Sequence, residues 1–341
     1  MDHVRIVRIP LPVEVIRQVD RLILDGVGGY GTRAEFILDA VQERLLELVH
    51  DDLAIVDDDS SERSAEDIRP VRFQAEASDL SMTELDPPRR GFALDAFATP
   101  VESKPLFGLH NRDYPSLWAL VQLAKMTREQ PVPVETYYAS VLREAWSFGS
   151  LLTSLSPFGG KATALFPTNP GKRKSAEAAF RAFAIGDYRL ADSGVGVTMH
   201  GPLYEWRVAA ITTGEGGAFV AVTNPGWDLL EGIAGATVDQ PHQKPAARNF
   251  LHHLQIHASA DWQGFREVLR GVGVGGASRT ELLGHFASVW PDWTDSEIST
   301  NTAGYVSRSR EWGLVHPKQE RGIYRLTEFG LNHLQEERGE S

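Results

Sequence analysis

The 341-residue chain contains no cysteine, which excludes disulfide cross-links, thiolate catalysis and cysteine ligation of a metal. It has no run of about 18 apolar residues, which excludes a membrane-spanning helix. Its N-terminus shows no basic segment followed by an apolar core and a small-residue cleavage site. With 42% hydrophobic residues and a mean hydropathy of −0.24, these absences lead us to expect a soluble, cytoplasmic protein. Positive charge is also scarce: 34 Lys and Arg face 46 Asp and Glu, for a formal net charge of −12. That balance opposes non-specific attraction to a polyphosphate, so any nucleic-acid site has to be local.

The length exceeds one typical domain of roughly 100–200 residues and suggests two or three cores. Four segments are expected: 1–50, an acidic flexible linker over 51–104, a middle domain over 105–257, and a C-terminal domain over 258–338. The linker is acidic because Asp51, Asp52, Asp57, Asp58, Asp59, Glu62, Glu66 and Asp67 face only Arg63 between positions 51 and 67. Pro87-Pro88 forbids a continuous helix there, and Phe92, Leu94 and Phe97 are its few apolar positions. In the middle domain, helical periodicity covers 117–128, 134–155 and 175–185, and strands are expected at 204–211 and 218–222 around a glycine-containing loop. The fold class is therefore mainly α with small β elements.

The first fifty residues have their own logic. Positions 4–12 alternate as a strand, with Val7, Ile9 and Leu11 on one face and Ile6, Arg8 and Pro10 on the other. A helix follows with Val15, Ile16, Val19, Leu22 and Ile23 on one stripe, ending before Gly26, Gly28 and Gly29. Thr32-Arg33-Ala34-Glu35 has capping-box spacing for a second helix whose apolar face is Phe36, Ile37, Ala40, Val41, Leu45 and Leu48. One strand with two short helices leaves backbone groups unpaired and too small a core to stand alone, and a homodimer that pairs two strands over four helices cures both defects.

The stretches VRIVRIPLPVEVIRQVDRL and YGTRAEFILDAVQERL resemble the ribbon-helix-helix family of bacterial repressors and antitoxins over about 47 residues. The resemblance implies a dimer whose ribbon enters the major groove of double-stranded DNA. It places Arg8, with Ile6 and Pro10, toward the bases, with Arg5 contributing from a twisted strand. Backbone amides near Gly31, Thr32 and Arg33 would hold a phosphate at the second helix. Pro10 departs from the family, whose ribbons carry longer polar side chains there, so base reading falls mainly on Arg8.

Helices expected at 261–272, 279–290 and 295–312, then a hairpin at 316–326, resemble the winged-helix order. The segment EISTNTAGYVSRSREWGLV ends as such a third helix does where it enters its wing. Thr300, Asn301 and Arg308 become candidate groove or phosphate contacts, with Lys318 and Arg321 on the wing. VAVTNPGWDLLEGI at 220–233 parallels YRLTEFGLNHL at 324–334, each a strand, a Thr, a Gly and a short amphipathic helix, so the middle domain is also expected to be winged-helix-like. Lys172-Arg173-Lys174 is a further candidate phosphate contact.

Other patterns are set aside. Gly26-Gly28-Gly31 and Gly271-Gly273-Gly276 match a dinucleotide fingerprint, but each follows an amphipathic helix where a nucleotide loop must follow a strand. His253 and His257 have metal-ligand spacing on a helix without an evident third ligand, so packing is the favoured role. No G-x-S-x-G elbow, paired carboxylates or Cys/His arrangement singles out catalysis. The expectation is a non-enzymatic, cofactor-free, homodimeric, sequence-specific DNA-binding protein of the transcription-regulator kind, not membrane-bound, with a protein partner open to the middle or C-terminal domain. DNA segregation, mobile-element function, or a subunit of an anti-phage or DNA-processing complex are the alternatives.

Overall fold

The computed structural model describes residues 16, 17, 19, 20, 33, 83–95, 112–155, 166–190, 197–215, 217–238 and 244–339. The chain divides into two compact units, residues 1–71 with 169–179, and residues 72–168 with 180–341. The described residues are mainly helical with three small antiparallel sheets.

In the first unit Ile16, Arg17, Val19, Asp20 and Arg33 are helical and Val19 is buried. The Arg33 guanidinium donates to Asp20 from Nε and, at 2.5 Å, from Nη2. Both groups are exposed, so the pair adds little stability. The expected ribbon residues Arg5, Ile6, Arg8 and Pro10, and Gly31 and Thr32 of the turn, lie outside the described residues, as do the apolar positions of residues 1–50 other than Ile16 and Val19. At 169–172 the Asn169 side chain accepts from the Gly171 amide at 2.9 Å and starts a 3₁₀ turn, Pro170–Lys172.

The second unit opens with α1 (Tyr114–Met126), an almost wholly apolar helix that is buried on nearly every side. Strand β1 (Val132–Pro133) leads into α2 (Val134–Leu155). Val134, Tyr137, Tyr138, Val141, Ala145 and Leu152 are buried at the spacing of one helical face. Helix α3 (Arg173–Phe180) belongs to the first unit but for its last residue, and the second unit resumes with a π turn, Arg181–Ile185, and the paired strands β2 (Asp187–Leu190) and β3 (Val197–His200). A one-turn helix α4 (Pro202–Glu205) precedes the hairpin of β4 (Ala209–Gly214) and β5 (Gly217–Val222), and α5 (Asn224–Gly232) closes this half. The strand expected at 204–211 therefore begins only at 209. Gly201 at φ 99° followed by Pro202 starts a helix in its place.

The expected flexible linker is also corrected at residues 83–95, which form a strap on this half. Leu85 is 2% exposed and exchanges backbone hydrogen bonds with Ala236 and Gly235. Leu94 bridges Thr223, and the Trp227 indole donates to the Phe92 carbonyl at 2.9 Å. Pro87-Pro88 forbids helix but suits this extended path, and Leu85 and Leu94 anchor its two ends.

Helix α6 (Lys244–His257) connects to a second half: α7 (Ser259–Val272), β6 (Ala277–Ser278), α8 (Arg279–Val289), α9 (Asp295–Glu311), a hairpin containing β7 (Ile323–Tyr324), and α10 (Glu328–Arg338). Both α8 and α9 start with capping boxes, Ser278 with Glu281 and Thr294 with Glu297.

The two halves share one plan. In each, a short strand after the first helix pairs with the second strand of the later hairpin, β1 with β5 and β6 with β7. In each, a Thr then caps a closing helix, Thr223 accepting from the Gly226 amide at 3.1 Å and Thr327 from Gly330 at 3.0 Å. The Thr amides bond back to Val208 and Leu314, each at 3.0 Å. A Cβ at Gly226 would stand 2.1 Å from the Val208 carbonyl oxygen, and one at Gly330 2.1 Å from that of Leu314. The repeated Thr-x-x-Gly thus records one close approach of helix to strand, made twice.

Gly226→Ala and Gly330→Ala are each expected to destabilise the fold by about 1–3 kcal/mol through this backbone clash. Gly284→Ala, in open space within α8, should stabilise it by about 0.5–1 kcal/mol. Chemical denaturation of the three variants checks the contrast.

Candidate nucleic-acid interface and the buried junction behind it

The hairpin after α9 carries an exposed basic tip. Val315 bridges Leu326, the His316 amide donates to the Arg325 carbonyl at 2.9 Å, and Glu320 and Ile323 exchange both backbone hydrogen bonds at 3.0 Å. Between them Arg321 (φ 54°) and Gly322 (φ 80°) both adopt left-handed backbone, the signature of a type I′ turn. Gly is at home there, whereas Arg321 accepts strain of about 1–2 kcal/mol. Lys318, Arg321 and Arg325 are all exposed, and Arg325 pairs with Glu320 at 2.8 Å.

Beyond the exposed Asp295 at its start, the outer face of helix α9 is small and uncharged: Ser296 and Ala303 are exposed and Thr300 is half-buried, its hydroxyl donating to the Ser296 carbonyl at 2.7 Å. Two expected contacts are corrected here. Asn301 is 3% exposed and Arg308 is 1% exposed, because 298, 301, 305 and 308 share the helix face turned to the core. In the first unit Lys172, Arg173 and Lys174 are exposed, and Arg173 pairs with Glu177 at 2.8 Å.

Arg308 sits in a buried junction between the two halves. Its Nε donates to Asp113 Oδ1 at 2.7 Å, and its Nη1 and Nη2 donate to the two oxygens of Asp261 at 2.7 and 2.6 Å. Asp113 immediately precedes α1 and Asp261 lies in the first turn of α7. The Trp206 indole donates to Asp261 at 2.9 Å, the Trp312 indole to Asp113 at 2.6 Å, and the Tyr305 hydroxyl to Asp261 at 2.5 Å. Burial works against the charged guanidinium, but Asp113 and Asp261 outweigh it and raise its pKa further. Phe250 of α6 packs between the two indoles, edge-on to Trp206 at 5.1 Å and stacked on Trp312 at 4.3 Å.

Glu311, the last residue of α9, accepts from the Asp113 amide at 2.6 Å and the Tyr114 amide at 3.2 Å, capping α1 from the other half. Burial, reinforced by the neighbouring Asp113 carboxylate, pushes its pKa up to about 7. Sequence reasoning missed Asp113, Asp261, Trp206 and Trp312. The available signal was a second internal repeat: Asp-Tyr at 113 and Asp-Trp at 261 each open a first helix, and Glu-Trp at 205 and 311 each precede a hairpin.

Two other clusters are chemically quiet. His253 donates from Nε2 to the Trp206 carbonyl at 2.8 Å, and burial lowers its pKa to about 4, so it is a neutral packing residue. The Tyr138 hydroxyl lies 3.2 Å from that of Tyr204, with Arg181 over its ring at 4.1 Å; burial pushes its pKa up to about 12, which keeps its proton in place near neutrality. Among the described residues no group of three or more His, Asp or Glu side chains is placed to hold a metal ion, and no helix is long and apolar enough to cross a membrane. No family model, no curated protein and no solved structure matches the chain.

Arg308→Met leaves two buried carboxylates without their cation and is expected to cost about 3–5 kcal/mol, measured by denaturant unfolding. Glu311 supplies a pH dependence. The folded carboxyl keeps its proton to about pH 7, whereas the ordinary value is 4.5, so the folded chain binds one extra proton between those values. The stability this gives is complete below pH 4.5 and lost as pH rises through 7, with a slope of about 1.4 kcal/mol per pH unit. Glu311→Gln should remove that slope from the difference between variant and parent.

Proposed function

We propose that the chain is a homodimeric, sequence-specific DNA-binding protein of the regulator kind, in which residues 258–338 form a winged-helix unit that adds its hairpin to the DNA footprint. The observation that carries this reading is the β6–β7 pairing, which closes α7, α8 and α9 behind a hairpin whose exposed tip is a strained Arg321. The order of helix, strand, two helices and hairpin supports the winged-helix reading, and the first half, with β1, β4 and β5 in one sheet, supports a second unit of that kind. The ribbon-helix-helix resemblance at 1–50 supplies the dimer and the base-reading Arg8. Lys318 and Arg321 serve as phosphate contacts that hold the hairpin on the duplex. Strain at an exposed cationic tip favours this reading, because a turn selected for stability alone would carry Asn-Gly.

A second reading, assembly with a protein partner, draws on the neutral stretch of the outer face of α9 beyond Asp295 and on the inward turn of Asn301 and Arg308. Anisotropy titrations of short duplexes with the full-length chain separate the two. Lys318→Ala/Arg321→Ala should weaken binding to all sequences alike and lower the salt slope by about 2. Arg8→Ala should cost about 1–3 kcal/mol on the preferred site and reduce discrimination against random DNA. Arg321→Asn should weaken binding while raising stability by about 0.5–1 kcal/mol, by relieving the turn. An unchanged affinity and salt slope in the Lys318/Arg321 variant would remove the hairpin from the interface and leave assembly as its role.

A further inference from the structure

The junction has a reciprocity that its individual contacts conceal. Trp206 and Trp312 occupy the same place in their halves: each follows a Glu, each is fully buried, and each precedes a left-handed residue, Arg207 at φ 58° and Gly313 at φ 70°. The carbonyls of those two residues accept from Thr223 and Thr327, the helix caps of the shared plan, at 2.6 and 2.5 Å. Yet neither indole bonds to the first helix of its own half. Trp206 of the first half donates to Asp261 at the start of α7, and Trp312 of the second donates to Asp113 at the start of α1.

Asp113 and Asp261 hold similar places, Asp113 directly before α1 and Asp261 within the first turn of α7, each with an aromatic residue directly after it. The halves therefore exchange a donor and an acceptor across a pseudo-twofold relation, much as two copies of one subunit do across an isologous dimer interface. Arg308 breaks the symmetry. It comes from the second half alone and bonds both exchanged carboxylates at once.

We propose that the two halves of the larger unit work as a covalently joined pair whose exchanged Trp–Asp contacts, clamped by Arg308, make the two open and close together. Two physical reasons support this. Asp113 gets both its indole donor and its guanidinium from the second half, so opening that half strands its charge, whereas opening the first half takes the Trp206 donor from Asp261 and one of two carboxylate partners from Arg308. In addition, Glu311 of the second half satisfies the first two amides of α1, and Phe250 fills the space between both indoles. Neither half has a complete core by itself. The coupling of the halves is independent of whether they bind DNA.

Native-state hydrogen exchange on the full-length chain tests it. In the parent protein the slowest amides of α1 and α7 should exchange with one opening constant and one denaturant dependence. Trp206→Phe keeps the aromatic packing and removes the donor to Asp261. It should lower protection by about tenfold both in α7, which it touches through Asp261, and in the first turn of α1, to which it donates nothing. Trp312→Phe should produce the mirror result. Separate exchange isotherms for α1 and α7 in the parent, or loss of protection confined to the half whose carboxylate lost its donor, would overturn the proposal. The parent measurement decides the question even if a variant fails to fold.

Discussion

The described part of the larger unit hangs on one guanidinium held between two carboxylates from opposite halves. Arg308, Asp113 and Asp261 are 1%, 0% and 2% exposed, so each has given up its hydration, and mutual pairing together with the surrounding hydrogen bonds offsets that cost. Three buried carboxylates meet here, with Glu311 the third, against one cation. Full ionisation would leave two net negative charges in the core. The protein limits this in two ways: the indoles, the Tyr305 hydroxyl and the α1 amides donate to the carboxylates, and Glu311 holds its proton up to about pH 7. A buried ionic group of this kind contributes less to net stability than an apolar replacement would, but it tolerates few alternative arrangements. That trade suits a junction whose task is to fix how two similar units meet.

The shared plan also shows where the halves diverge. Between its second helix and its hairpin, the second half has the single helix α9, whereas the first has a π turn, the β2–β3 pair and the one-turn helix α4. Arg181 in that turn bonds Asp187 at 2.5 Å and covers the Tyr138 ring, so the insertion is tied down by its own polar contacts. The hairpin tips differ in charge. The described residues at the first tip include Glu215, while the second presents Lys318 and Arg321. With a net charge of −12 on the whole chain, a cationic feature acts on a polyphosphate only if it projects, and a hairpin tip projects.

Much of the fold was legible because local signals agreed with one another. Helix α2 was expected over 134–155 and forms there, since its apolar residues recur at helical spacing with no proline and only Gly149 to weaken it. The Thr-x-x-Gly repeat was legible for a related reason: a cap and a forced glycine are chemical requirements of a single site. The polar junction was not. Helix α9 is rich in Ser, Thr, Ala and Gly, so its inner and outer faces differ little in hydrophobicity, and nothing in the period shows that Asn301 and Arg308 point inward. An Arg in such a helix looks like a surface group until a carboxylate 195 residues earlier in the chain is known to lie 2.7 Å from it. The strap at 83–95 was obscured in the same way, since its anchors Leu85 and Leu94 are single residues with no period to betray them.

Among the described residues the two non-glycine positions with left-handed backbone are both arginines, and only one of them has a structural requirement behind it. Arg207 occupies the position that Gly313 fills in the other half, and its carbonyl must face Thr223 for the helix cap to form. The shared plan accounts for its conformation, and glycine at the equivalent position shows that the site needs only the backbone shape. Arg321 has no such obligation. Its turn is closed by Glu320 and Ile323, whose backbone bonds form with any residue able to adopt the angles, and Gly322 already supplies one of the two left-handed positions. Strain of about 1 kcal/mol at a position with no packing partner to require it leaves the side chain as the reason for the residue. A long cation on a rigid, outward turn is suited to an anionic surface, which is why the hairpin, and not the inward-facing Arg308, carries the proposed contact from this half.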